Sequence, residues 1–218
     1  MPGTLFVVAT PIGNLEDLTF RALRVLREVD LIAAEDTRRT AKLLAHYEIR
    51  KSMVSLHEHN EHRETPRLIE RIQGGATVAL VTDAGTPGIS DPGSKLVERA
   101  HAAGLHVVPV PGPSAVTAAL SVSGVDGSTF LFLGFPPSSG AARSRWIDRL
   151  AEESSPVVFF EAPHRIRRTV TALIAKVNRP IFIHRELTKI HEQLAVSPSM
   201  TNWPERGQGS AFDRRCEG

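Results

Sequence analysis

Short apolar runs of strand type recur along the chain, at residues 5–9, 31–34, 53–56, 78–81, 107–110, 130–135, 157–160 and 181–183, and helical patterns lie between most of them. Leu18, Ala22, Val25, Leu26 and Val29 fall at i, i+4, i+7, i+8 and i+11, one face of a helix, with Asn14 and Asp17 as candidate caps. Leu43, Leu44 and Tyr47 mark a second helix after Thr37. Leu68, Ile69 and Ile72 mark a third, closed by Gly74 and Gly75. A fourth is predicted with Ser90 or Asp91 as its cap, Pro92 in its first turn and Gly104 at its end. Strand-helix alternation of this kind predicts the α/β class, a mostly parallel sheet with helices on both faces.

Length narrows this to one α/β domain or two small ones, since the chain has 218 residues, 41% of them apolar. No window approaches the roughly 20 apolar residues that span a bilayer. The opening Met-Pro-Gly-Thr-Leu-Phe-Val-Val reads as a strand rather than a signal peptide. The single cysteine, Cys216, excludes an internal disulfide and fits a reducing cytoplasm. A net charge of +2 permits nucleic-acid binding without requiring it.

Open parallel sheets bind ligands beyond the carboxyl ends of their strands. Three predicted strands end in loops with little bulk: Ala-Thr-Pro-Ile-Gly-Asn at residues 9–14, TDAGTPGISDPG at residues 82–93, and Pro-Gly-Pro-Ser-Ala at residues 111–115. Any one of these is explained as a tight strand-to-helix turn. Three together predict one shared site, where glycine lets backbone approach a ligand and a helix start can hold a carboxylate. A Walker loop and a GxGxxG after the first strand are both absent, which argues against nucleoside triphosphates and NAD.

These loops, with Glu-Asp-Thr-Arg at 35–38, Gly-Phe-Pro at 134–136, Glu-Ala-Pro-His-Arg at 161–165 and Arg-Glu-Leu-Thr-Lys at 185–189, resemble the ribosomal RNA small subunit methyltransferase I family of the tetrapyrrole (corrin/porphyrin) methylase superfamily. The resemblance runs in order from about Leu5 to Glu192. It implies two α/β domains with S-adenosylmethionine in the cleft between them, at residues 1–113 and 114–196. It further implies methylation of a cytidine ribose 2′-hydroxyl in the decoding region of 16S ribosomal RNA, by a cytoplasmic homodimer without metal. Position by position, Pro11, Ile12, Asp83, Gly85, Ile89, Ser114, Ala115 and, in the second domain, Phe160 match cofactor positions.

Glu35 and Asp36 follow the second strand, so they are expected at the ligand edge, where carboxylates can orient or deprotonate a hydroxyl. The competing reading makes Asp36 or Thr37 a plain helix cap. Arg38, Arg39 and Lys42 are candidate phosphate contacts, as are Arg165, Arg185 and Lys189 on the strength of the family motifs. A solvated helix face explains such charges equally well. His57, His59 and His62 with Glu58 suggest zinc, but no further ligand pair accompanies them. The resemblance assigns this stretch, His59 and Asn60 in particular, to hydrogen bonding with RNA or a dimer partner. Rival functions remain: methylation of a small tetrapyrrole, RNA binding without catalysis, and a metal hydrolase. Residues 197–218 depart from the family, showing no strand or helix period, and are expected to form a loose tail that leaves the second domain shortened.

Overall fold

The computed structural model describes residues 2–197. The chain divides into two compact units, Met1–Ala115 and Val116–Gly218. Among the described residues, no helix is long and apolar enough to cross a membrane.

The first unit is a five-stranded sheet of β1 (Thr4–Val8), β2 (Leu31–Ala34), β3 (Met53–Ser55), β4 (Val78–Val81) and β5 (His106–Val110), ordered β3-β2-β4-β1-β5. All four pairings are parallel, with Leu5 opposite both Val78 and Val107, and Ile32 opposite both Ala79 and Met53. Four helices cover it: α1 (Phe20–Glu28), α2 (Thr37–His46), α3 (Glu61–Gln73) and α4 (Ser94–Ala102). Period-two alternation sends successive strand residues to opposite faces. Val8, Ile32, Ala34, Ala79 and Val81 pack under Ala22, Val25 and Leu26 of α1 and Leu44 of α2. Leu5, Leu31, Ala33, Val78 and Leu80 pack under Leu68 and Ile72 of α3 and Leu96 and Ala100 of α4. Every residue of β2 and β4 is buried, which is why those runs are apolar without alternation.

Two helix starts differ from the sequence reading. Asn14 caps a short 3-10 turn, Leu15–Asp17, by accepting the Glu16 N–H, while α1 is capped by Thr19, whose hydroxyl accepts the Ala22 N–H at 3.1 Å. Asp17 lies within that turn and caps neither element. Ser90, Asp91 and Pro92 precede α4, and its N-cap is Gly93 at φ +115°. A side chain there would meet Leu80 of β4 at 2.7 Å, so glycine is required and cannot cap. Glu61 of α3 supplies the missing acceptor, taking the N–H groups of Gly93 at 2.9 Å and Lys95 at 3.3 Å.

The second unit holds all but the first residue of α5 (Ala115–Ser123), then β6 (Leu131–Phe132), α6 (Gly140–Glu152), β7 (Val157–Val158), α7 (Ile166–Ile174), β8 (Ile181–Arg185) and β9 (Gln193–Ser197). β6 and β7 pair in parallel, and β8 and β9 pair antiparallel. Ile147 and Leu150 of α6 pack on Leu173 and Val177, with Trp146 and Phe159 at the margin. β9 was not foreseen from sequence. Its Leu194 and Val196 are exposed, so it carries no buried face to announce it. Ser197, counted with the tail, pairs with Ile181; the remainder of the expected tail, residues 198–218, lies outside the described residues.

Candidate functional site

The three bare loops follow β1, β4 and β5, which are neighbours in the sheet, and they are bonded to one another. The N–H of Thr10 donates to the carbonyl of Gly85 at 2.9 Å, and the Gly85 N–H donates back at 3.0 Å. The Thr10 hydroxyl donates to the Thr82 carbonyl, and that of Thr86 donates to the Pro113 carbonyl. Gly85, at φ +92°, is therefore occupied on both its polar groups. It does not offer its amide to a ligand, as a bare loop suggested; it ties the first loop to the second and keeps the space beside Ile12 open. Of the other sequence-predicted cofactor residues, Pro11 is buried, Ile12, Asp83, Ser114 and Ala115 are half-buried, and Ile89 is exposed.

Carboxylates bind the ends of β2 and β4 together. Glu35 accepts the backbone N–H of Asp83 at 3.1 Å, and Asp83 accepts that of Asp36 at 3.1 Å. Arg39 lies 3.4 Å from Asp83. Asp36 takes the capping role: it accepts the Arg38 N–H at 2.8 Å to start α2 and pairs with the Arg38 guanidinium at 3.0 Å. Arg38 holds the Asp36 carboxyl down at about 2, so this residue is badly suited to accept a proton. Asp36 thus takes the capping role that was its competing reading in the sequence.

Asp91 behaves in the opposite way. Burial, then the neighbouring Glu35 and then Asp83 push its carboxyl up to about 6, offset in part by the Thr82 hydroxyl. It went unnoticed as a site residue because in sequence it looked like a cap. The signal available was a second acid in the loop that already held Asp83.

Other predicted contacts have intramolecular roles. Asn60 closes the turn before α3, accepting the His57 N–H and donating to the Ser55 carbonyl. His59 is exposed, its ring edge-on to His57 at 5.9 Å. Among the described residues, no group of three or more His, Cys, Asp or Glu side chains is placed to hold a metal ion. Arg165, just before α7, pairs at 2.8 Å with Glu161, whose side chain is only 1% exposed. Arg143, itself 5% exposed, approaches the same carboxylate at 3.7 Å, and the Thr169 hydroxyl donates to it. Arg165 is thus turned towards a buried acid rather than presented outward. Phe160 lies in an aromatic group with Phe132 and Phe135, at 5.1 and 5.5 Å. Arg185 donates to Gln193 on the adjacent strand, and Lys189 pairs with Glu186 at 3.1 Å. Arg38, Arg39 and Lys42 are exposed along α2.

A parallel sheet whose carboxyl edge carries stitched, glycine-rich loops is also what the comparisons with known proteins point to. The family model for tetrapyrrole (corrin/porphyrin) methylases matches residues 4–200, and the chain belongs to that family. Its similar proteins carry a more particular name, ribosomal RNA small subunit methyltransferase I. One from Pseudomonas aeruginosa is 49% identical over 90% of this chain and 70% of its own length. One from Xylella fastidiosa is 52% identical over 88% and 71%, and one from Thermotoga maritima 48% identical over 88% and 86%. Solved structures share the fold at lower identity. A diphthine synthase matches at TM-score 0.67 and 18% identity, covering 89% of this chain and 81% of that one. A uroporphyrin-III-C-methyltransferase from Thermus thermophilus matches at 0.61 and 19%, covering 90% and 85%.

Proposed function

We propose that this chain transfers a methyl group from S-adenosylmethionine to the ribose 2′-hydroxyl of a cytidine in the decoding region of 16S ribosomal RNA. What carries the reading is the name shared by relatives about half identical over nearly nine-tenths of the chain. The same reading makes the enzyme a cytoplasmic homodimer acting on the small ribosomal subunit.

The residues at the sheet edge fit such a donor. A cation is favoured beside Glu35, Asp83 and Asp91, where burial and then the two neighbouring carboxylates raise the Asp91 carboxyl to about 6. A carboxylate suits the amides at Ser114 and Ala115 where α5 begins. Ile12 offers apolar surface beside Gly85, where the want of a side chain keeps space open, and Ile89 of the same loop is exposed. When bound, S-adenosylmethionine supplies an electrophilic methyl group on a positively charged sulfur. The chain's own contribution is alignment, worth roughly 7–11 kcal/mol in well-oriented reactions. Glu35 and Asp91 are the carboxylates this edge offers to receive the hydroxyl proton. Arg38, Arg39 and Lys42 at the same edge suit the phosphates flanking the ribose.

Incubation with labelled S-adenosylmethionine and small ribosomal subunits, followed by mapping of the label, tests the reading. The expected product is one cytidine methylated on its ribose. Label on a tetrapyrrole but not on RNA, or no transfer to either, would overturn it.

A further inference from the structure

The two helical faces of the first sheet differ in charge. On one, α1 and α2 carry six cationic side chains (Arg21, Arg24, Arg27, Arg38, Arg39 and Lys42) against one acid, Glu28. On the other, α3 and α4 carry Arg63, Arg67, Arg71, Lys95 and Arg99 against Glu61, Glu64, Glu70 and Glu98, five against four. The surplus therefore sits on the α1–α2 face, in a chain whose net charge is only +2.

That face also breaks the amphipathic rule. Ala22, Val25 and Leu26 of α1 point into the core, yet Phe20, the first residue of the helix, is 93% exposed. At about 100° per residue, Phe20, Arg24 and Arg27 fall at i, i+4 and i+7, one stripe that rises about 10 Å along the helix. Arg21 flanks it. Arg27 donates to the Tyr47 carbonyl at 3.3 Å, which ties the far end of the stripe to the end of α2. The Tyr47 hydroxyl donates to the Leu15 carbonyl, bracing the turn before α1. Arg24 has Glu28 at 3.8 Å, an exposed pair that phosphate can displace. The stripe starts at the ligand edge of the sheet: Thr19, the cap of α1, lies within 3.7 Å of where a side chain on Gly112 would reach.

We infer that the outer face of α1 and α2 is a single-stranded RNA contact, with Phe20 stacking on a base and Arg21, Arg24 and Arg27 meeting phosphates. An exposed aromatic beside guanidinium groups is the arrangement that holds unpaired nucleotides without reading their sequence. A second copy of the chain fits worse, because a twofold interface would set this basic face against itself. The inference rests on the RNA reading proposed above, and it extends the substrate contact from the α2 residues to a helix that no family motif singles out.

Its test measures binding as well as turnover. A single-stranded RNA oligonucleotide is titrated against the full chain as wild type, Phe20→Ala, Phe20→Trp and the triple variant Arg21→Gln, Arg24→Gln, Arg27→Gln. Phe20→Ala is expected to weaken binding roughly tenfold and Phe20→Trp to restore it. The triple variant should flatten the slope of log affinity against log salt by about 2, near 0.7 for each phosphate lost. Affinity for S-adenosylmethionine should stay unchanged in all of them. Wild-type RNA affinity and slope in these variants would overturn the inference, as would loss of dimer in sedimentation with RNA binding intact. Failure of the wild type to methylate ribosomal subunits would instead count against the proposed function, and the oligonucleotide titration would still decide this point.

Discussion

In the first unit, Glu35, Asp83 and Asp91 gather where β2 and β4 end, and the ion pair offered to them comes from the exposed Arg39, 3.4 Å from Asp83. In the second unit, Glu161 is buried against two guanidiniums, Arg143 at 3.7 Å and Arg165 at 2.8 Å, and takes a hydroxyl from Thr169 as well. Both groups sit just after a strand, and both appeared in sequence as motifs with functional promise. The first is negative beyond its means of compensation, and burial together with that surplus raises the Asp91 carboxyl. The second is compensated from within. Underpaired carboxylates at a strand end mark a place where a cation or a proton is handled, while a matched buried pair holds helices together. Arg165 illustrates the difference: a motif arginine that resembles an RNA contact is oriented by the acid four residues before it.

The largest expected effect lies in the second unit. Arg143→Met leaves Glu161 short of one cation in a buried site and should destabilise the protein by about 3–5 kcal/mol. Adding Glu161→Gln to the same variant should recover part of that loss, since the buried carboxylate is gone and the one charge left, Arg165, is partly exposed to solvent. Urea unfolding of both variants checks this, and a single-variant cost below about 1 kcal/mol would remove the contrast between the two clusters.

Next in size is Asp83→Ala. It removes the acceptor of the part-buried Asp36 N–H, for a stability loss of about 1–3 kcal/mol, while the exposed Arg39 turns to solvent. If the first cluster is a ligand site, calorimetric titration should also find weaker binding of S-adenosylmethionine than in Arg143→Met at temperatures where both are folded. Equal affinities would make the first cluster as structural as the second.

The smallest effect is the dependence on pH. Asp91 has its carboxyl raised from 3.8 to about 6 in the folded chain, so the folded state holds a proton that the unfolded state has released. Stability should therefore fall as pH rises from about 4 to about 6, and the penalty should persist above that. Asp91→Asn should remove this slope and stabilise the protein at pH 7 by on the order of 1 kcal/mol, allowing for solvent screening of a half-exposed group. Thermal unfolding across this range, wild type beside variant, provides the measurement; a slope that survives the substitution would mean another group titrates there.

Much of the fold was legible in the chain itself. The five strands of the first unit match apolar runs to within a residue or two, most plainly β2 and β4, which are buried throughout on a parallel sheet and stay apolar without alternation. The second unit was harder. β6 and β7 are two residues each inside longer apolar runs, and β9 leaves Leu194 and Val196 exposed, so its backbone pairing has no counterpart in composition. Among site residues, the three loops were identifiable from glycine and proline alone, and they are bonded to one another. Gly85 is expected from sequence to let backbone approach a ligand, and in the fold its N–H and carbonyl are both taken by the chain-distant Thr10.

Period, glycine placement and motif order are properties of neighbours in sequence, and these determined the α/β class, the four helices of the first unit and the methylase family. The work of each charged side chain depends on partners that only folding supplies. Glu35 reaches the amide of Asp83, 48 residues away, and Glu61 caps a helix 32 residues further along. Asp36 and Asp91 are the same residue type, each before a helix, yet one carboxyl lies near 2 and the other near 6. Tertiary structure decided between them, because a guanidinium faces the first, whereas burial and two further carboxylates surround the second.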